Sequence, residues 1–63
     1  MRLSNVVEVI SGGTGIEILN NSKKVYFGLL ANIDESLYAK YKNCIVYRIG
    51  VNKSARYITI SVI

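Results

Sequence analysis

Few side chains in this sequence have the chemistry that catalysis needs. There is no histidine, the residue most often used as a general base near neutral pH. A carboxylate pair could exchange protons, but Asp34 and Glu35 are adjacent at a predicted helix start, where capping explains them better than an acid–base pair. We therefore expect no catalytic residue and no enzyme activity.

Metal and cofactor sites are also poorly supported. Cys44 is the only cysteine, so one chain can form neither a disulfide nor a zinc site with four nitrogen or sulfur ligands. Cys44 follows a predicted helix C-terminus, which disfavours a thiolate and favours a buried apolar role. The segment SGGTG at 11–15 resembles a phosphate-binding loop, but it precedes a strand rather than a helix. We expect no metal and no cofactor.

Size and composition describe a small basic chain. It has 63 residues, of which 51% are hydrophobic, and its net charge is +4, so we expect a single domain over 1–63. Such a domain has a thin stability margin, and burial by a second chain would help it. The charge suits nucleic acid or an acidic protein surface and does not choose between them. The lone thiol and the lack of an apolar run near about 20 residues predict a cytoplasmic protein without a membrane segment.

Apolar periodicity predicts the order helix, two strands, helix, two strands. The first helix, at 4–10, is rich in β-branched residues, so an N-terminal edge strand is the alternative. The second helix has Asn32 as its predicted cap, with Glu35 three residues later. The remaining assignments are strands at 15–19, 24–30, 44–51 and 56–63 and the second helix at 32–43. We predict an α+β fold, with a small four-stranded, mostly antiparallel sheet of two hairpin-like pairs and one or two short helices on one face.

Strand alternation divides the sheet residues between two faces. The large apolar residues are predicted to face the helices: Ile16, Ile18, Val25, Phe27, Leu29, Ile45, Tyr47, Ile49, Ile58, Ile60 and Val62. The opposite face then collects tyrosines and cations. The basic loops at 20–24 and 52–56 are interpreted as solubilising features. The candidate interaction residues are Lys24, Tyr26, Val46, Arg48, Arg56 and Tyr57.

Three roles suit such a face. Rings flanked by cations bind single-stranded nucleic acid by stacking and phosphate contacts. The same residue types favour a protein partner or a homo-oligomer, for which an exposed terminal strand offers a further edge. Ordinary cross-strand packing of amphipathic residues is the simplest alternative.

Three short motifs and the two closing strands together span the chain from end to end. They are LSNVVEVI at 3–10, GIEI at 15–18, IDESL at 33–37 and the two closing strands. In these the chain resembles small uncharacterised proteins encoded by bacteriophages and prophages of Gram-positive bacteria. It departs from them in its positive charge and in having Asp34 where they tend to have proline. The resemblance implies a phage-related origin and supplies no enzyme activity or functional residues. Together with the missing catalytic chemistry, the small core and the Tyr-rich sheet, it makes a non-enzymatic interaction protein, including a host-directed inhibitor, the leading hypothesis.

Overall fold

The fold is described by a computed structural model that covers residues 1–52, 54 and 56–63; the predicted loop residues Lys53 and Ala55 lie outside the described part. Its elements are α1 (Leu3–Val7), β1 (Gly15–Asn20), β2 (Lys23–Leu29), a short 3-10 helix (Leu30–Asn32), α2 (Glu35–Tyr41), β3 (Val46–Asn52) and β4 (Tyr57–Val62). The predicted α+β fold with a four-stranded, mostly antiparallel sheet is confirmed.

The two predicted hairpins are joined side by side. The strand order is β2-β1-β4-β3, in which β1–β2 and β3–β4 are antiparallel and the central pair β1–β4 is parallel. In the parallel pair Ile16 lies beside Ile58 and Ile18 beside Ile60. Because the central strands have neighbours on both sides, their β-branched side chains form the core, and Ile16, Ile18 and Ile60 are at most 1% exposed.

The N-terminal segment forms a helix rather than the alternative edge strand. Leu3 and Val6 are buried in the core, which gives α1 its apolar side. The first N–H groups of a helix lack intrahelical partners. Here the N–H of Leu3 donates to the carbonyl of Cys44 at 2.9 Å, and that of Ser4 to the carbonyl of Lys42 at 3.0 Å. Tertiary hydrogen bonds thus satisfy two N–H groups at the start of α1, and the helix forms despite its β-branched residues.

The N-cap of the second helix lies two residues later than predicted. Asp34 is its N-cap, and its Oδ2 accepts a hydrogen bond from the N–H of Leu37 at 3.1 Å. Asn32 lies instead in the 3-10 helix, so its assignment as the cap is wrong. The physical reason is that Ile33 and Asp34 are extended, which separates the two helical segments.

A β-bulge in β2 reverses the predicted faces of that strand. Ile18 pairs with Tyr26 but the next residue of β1 pairs with Lys24, so Val25 is an extra residue. Tyr26 therefore lies on the helix-covered face, and Phe27 on the other. The outward prediction for Tyr26 and the inward predictions for Phe27 and Leu29 are wrong, because one extra residue shifts a period of two.

A second irregularity, at the start of β3, also changes the faces on which the strand residues lie. Val46 pairs with Val62 and packs against the core, whereas Arg48 pairs with Ser61, leaving Tyr47 as the extra residue. The outward prediction for Val46 is therefore wrong, and Tyr47, predicted inward, is exposed. Beyond the bulge β3 has the predicted alternation.

Candidate interaction face

The open face is the side of the sheet opposite the helices. Cross-strand register and alternation place the predicted residues Lys24, Arg48 and Tyr57 on it, and Tyr26 and Val46 on the helix side. Arg56 is exposed in the turn before β4, with a positive φ of 58°. The open face comprises Gly15, Glu17, Leu19, Lys24, Phe27, Leu29, Arg48, Gly50, Asn52, Tyr57, Thr59 and Ser61.

An aromatic pair lies at the β2 side of the open face. The rings of Phe27 and Tyr57 have centroids 5.0 Å apart at an interplanar angle of 58°, a favourable tilted arrangement. They belong to β2 and β4 and meet across β1, where Gly15 has no side chain to separate them. A Cβ at Gly15 would lie 3.4 Å from the Cβ of Tyr57. Even so, Phe27 is 56% exposed, which leaves much of an aromatic ring in water.

A carboxylate holds the nearest cation in place. The Nζ of Lys24 lies 3.2 Å from the Oε2 of Glu17 and 5.1 Å from the centroid of the Phe27 ring. Glu17 also accepts a hydrogen bond at 3.2 Å from the hydroxyl of Thr59, and its side chain is only 14% exposed. The lysine therefore contributes a cation–π contact to Phe27, while its charge is largely balanced by Glu17.

A shallow groove occupies the other half of the open face. Its volume is about 510 Å³, and small residues, Gly50, Thr59 and Ser61, form its floor. Arg48 lines it from β3, and Leu19 lines it from β1. The Nδ2 of Asn52, another lining residue, donates to the hydroxyl of Tyr57 at 3.2 Å. The groove thus offers an apolar wall, a cation and neutral polar groups to a bound chain.

Sequence reasoning missed Phe27 and Leu29 because it assumed uninterrupted alternation. One signal was present: Gly28 lies inside the strand, and glycine within a strand often marks a bulge. Gly28 has a φ of +155°, and the hydroxyl of Tyr26 passes over it to donate to the carbonyl of Leu29 at 2.6 Å. The hydrogen bond from Tyr26 over Gly28 therefore lies in the part of β2 whose two faces are reversed.

The described part of the chain contains no cluster of three His, Cys, Asp or Glu side chains that could hold a metal ion. Cys44 packs against the core but is only half-buried, so it is less enclosed than the buried role predicted for it. Among the described residues, no helix is both long and apolar enough to cross a membrane. No protein-family model, curated protein or solved structure matches the chain.

Proposed function

We propose that this chain is a non-enzymatic interaction protein that binds a protein partner through its open face. The observation that carries the proposal is Phe27, a residue that is 56% exposed and whose ring packs against Tyr57 on a face that the helices leave uncovered. Rigid aromatic side chains with neighbouring apolar residues are enriched at protein interfaces. Leu29, exposed beside this pair, extends the apolar area.

The charges of the face define the kind of partner. Lys24 is already balanced by Glu17, whereas Arg48 has no ion pair within the described part of the chain. An apolar projection would cover Phe27 and Leu29, and a carboxylate beside the groove would meet Arg48 bidentately. The net charge of +4 would favour the approach of an acidic protein surface to this chain. We therefore propose a partner with an apolar centre and an acidic rim.

The biological setting follows from the resemblance to phage and prophage proteins. We propose a phage-related origin, action in the cytoplasm and a bacterial target, with inhibition of a host defence system as one form of that action. A non-enzymatic protein of this size would act by occupying a surface of its target, and an exposed aromatic face is suited to that.

Capture from a lysate of a Gram-positive bacterium tests the proposal. Three tagged baits are compared: the wild type, Phe27→Ala and Val9→Ala. Val9 is 82% exposed and follows α1, so its truncation removes exposed apolar surface without touching the open face. Each bait is used with and without nuclease treatment. We expect a protein retained after nuclease treatment by the wild type and Val9→Ala and lost with Phe27→Ala.

Two outcomes contradict the proposal. If the captured material disappears on nuclease treatment, the partner is nucleic acid. If Phe27→Ala and Val9→Ala retain the same proteins to the same extent, the open face does not carry the interaction. Circular dichroism of each bait establishes that the substitutions leave the fold intact.

Single-stranded nucleic acid is the second candidate, favoured by the Phe27–Tyr57 pair with Lys24 over one ring. It is the weaker candidate because the charge of Lys24 is already paired with the carboxylate of Glu17. Glu17→Gln removes that negative charge, so a nucleic-acid protein should gain affinity for a single-stranded oligonucleotide, with binding that weakens steeply as salt rises. Fluorescence anisotropy at low salt measures this. Absence of binding by the wild type and Glu17→Gln eliminates the second candidate.

A further inference from the structure

The outer edge of β3 is open over a short, defined window. The N-terminal residues cover its start, since the N–H of Val46 donates to the carbonyl of Met1 at 2.7 Å and Arg2 forms a bridge to Ile45. No other strand of the described chain lies beyond β3, which is last in the sheet order. The window extends over 48–52, a usual length for a paired strand.

The backbone groups that face this window can be identified from hydrogen bonds on the opposite side of the hairpin. The carbonyl of Val62 accepts from the N–H of Asn21, so it points away from β3. Alternate residues of a strand point the same way, so Ile60 and Ile58 also direct their backbone groups toward β1. Their partners on β3 are Ile49 and Val51.

Ile49 and Val51 therefore occupy non-hydrogen-bonded positions of the β3–β4 ladder, and their N–H and C=O groups point outward at the open edge. The same rule accounts for Val46, whose partner is Val62 and whose N–H reaches outward to Met1. The side chains of Ile49 and Val51 are 48% and 68% exposed. The window thus presents two donors, two acceptors and two apolar side chains.

We propose that two copies of this chain associate through antiparallel pairing of their β3 edges about a two-fold axis at Gly50. In this register Ile49 of one copy pairs with Val51 of the other, so both outward residues on each strand exchange N–H and C=O bonds. The apolar side chains meet in two β-branched pairs. Arg48 lies opposite Asn52, so no like charges face each other. Arg48, Gly50 and Asn52 also belong to the open face, but the dimer bonds come from the backbone of Ile49 and Val51. The dimer does not involve Phe27 or Leu29, so the proposal does not depend on the proposed function.

Gly50 is an independent observation that supports this register. The fold of a single copy does not require glycine at position 50, because a Cβ there would meet no atom within 4 Å and the φ of Gly50 is not positive. Glycine inside a strand costs stability and often marks a close approach of another backbone. At the axis the two Gly50 residues form a non-hydrogen-bonded pair, the closest kind of cross-strand approach.

The other edge of the sheet is protected against pairing. β2 begins with Lys23 and Lys24, both exposed, and contains the bulge at Val25. Lysines and bulges are the usual protections of an edge strand. Arg48 is the only charged residue in β3, at one end of the window. A second copy therefore has one edge to join, which gives a closed dimer.

Sedimentation velocity from low-micromolar to millimolar concentration tests the dimer. The variants are Val51→Lys and Val9→Lys, which add the same charge at exposed valines, one at the edge and one away from it. We expect a weak wild-type dimer, given the short edge, with Val9→Lys unchanged and Val51→Lys weakened by roughly tenfold or more, because a lysine blocks edge pairing. A wild type that stays monomeric, or equal effects of both variants, overturns the proposal.

Cross-linking tests the register even if Val51→Lys unfolds. In a Cys44→Ala background, Gly50→Cys places two thiols at the axis, where cross-strand Cα atoms are about 4.5 Å apart, within disulfide reach. Arg48→Cys is the control, because its two copies would be about four residues apart along the paired strands. We expect a covalent dimer on mild oxidation from Gly50→Cys only. A covalent dimer from Arg48→Cys alone, from both variants equally, or from neither contradicts this register.

Discussion

Val25 and Gly28 show how much single residues contribute to the arrangement of the open face. The extra residue at Val25 reverses the alternation in β2, so Phe27 points away from the helices, and Gly28 follows it with a φ of +155°. The hydroxyl of Tyr26 occupies the space where a side chain at Gly28 would begin. Phe27, an exposed aromatic residue of the open face, is thus positioned by neighbours that do not belong to that face.

Replacing Gly28 with alanine should destabilise the protein. The new Cβ would lie 3.0 Å from the hydroxyl oxygen of Tyr26, and L-residues rarely adopt this backbone conformation. We expect a loss of about 1–3 kcal/mol in the free energy of unfolding, measured by urea denaturation of dilute protein. Gly50→Ala is the matched control in another strand, where a Cβ meets nothing, and should be neutral or slightly stabilising. Equal effects at both glycines would contradict this account of β2.

At the scale of elements, the cap of α2 provides a direct test. Asp34→Ala removes the carboxylate that accepts from the N–H of Leu37, and should cost about 1 kcal/mol in unfolding free energy. Asn32→Ala should cost less, because Asn32 lies in the separate 3-10 helix. Thermal denaturation of both variants distinguishes the two positions. A larger loss of stability with Asn32→Ala than with Asp34→Ala would indicate that Asn32 is the cap, as the sequence analysis predicted.

The secondary structure was largely predictable, whereas the faces of the two edge strands were not. Period-two alternation correctly placed Ile16, Ile18 and Ile60 inward, because the central strands pair without irregularity. In β2 and β3 one extra residue opposes the neighbouring strand, and local preferences do not specify where that residue falls. As a result the sequence correctly placed Lys24, Arg48 and Tyr57 on the open face but misplaced Tyr26, Val46 and Phe27.

At the scale of the whole molecule, apolar surface is divided between a small core and the outside. Among the described residues, the buried apolar core consists of Leu3, Val6, Ile16, Ile18, Leu30, Ile60 and Val62. Other large apolar side chains are exposed, and several of them belong to the open face or the β3 edge: Phe27, Leu29, Ile49 and Val51. A chain of 63 residues gains relatively little from its own core. Association would bury these side chains and stabilise the folded state by mass action.

The affinity of the captured partner for three versions of the chain tests the central claim most directly. Isothermal titration with the wild type, Phe27→Ala and Val9→Ala compares an exposed aromatic residue at the β2 side of the open face with an exposed valine elsewhere. We predict that Phe27→Ala weakens binding about 30-fold, roughly 2 kcal/mol, as expected for an aromatic anchor, and that Val9→Ala changes it less than about twofold. Equal affinities for the wild type and Phe27→Ala would show that the open face is not where the partner binds.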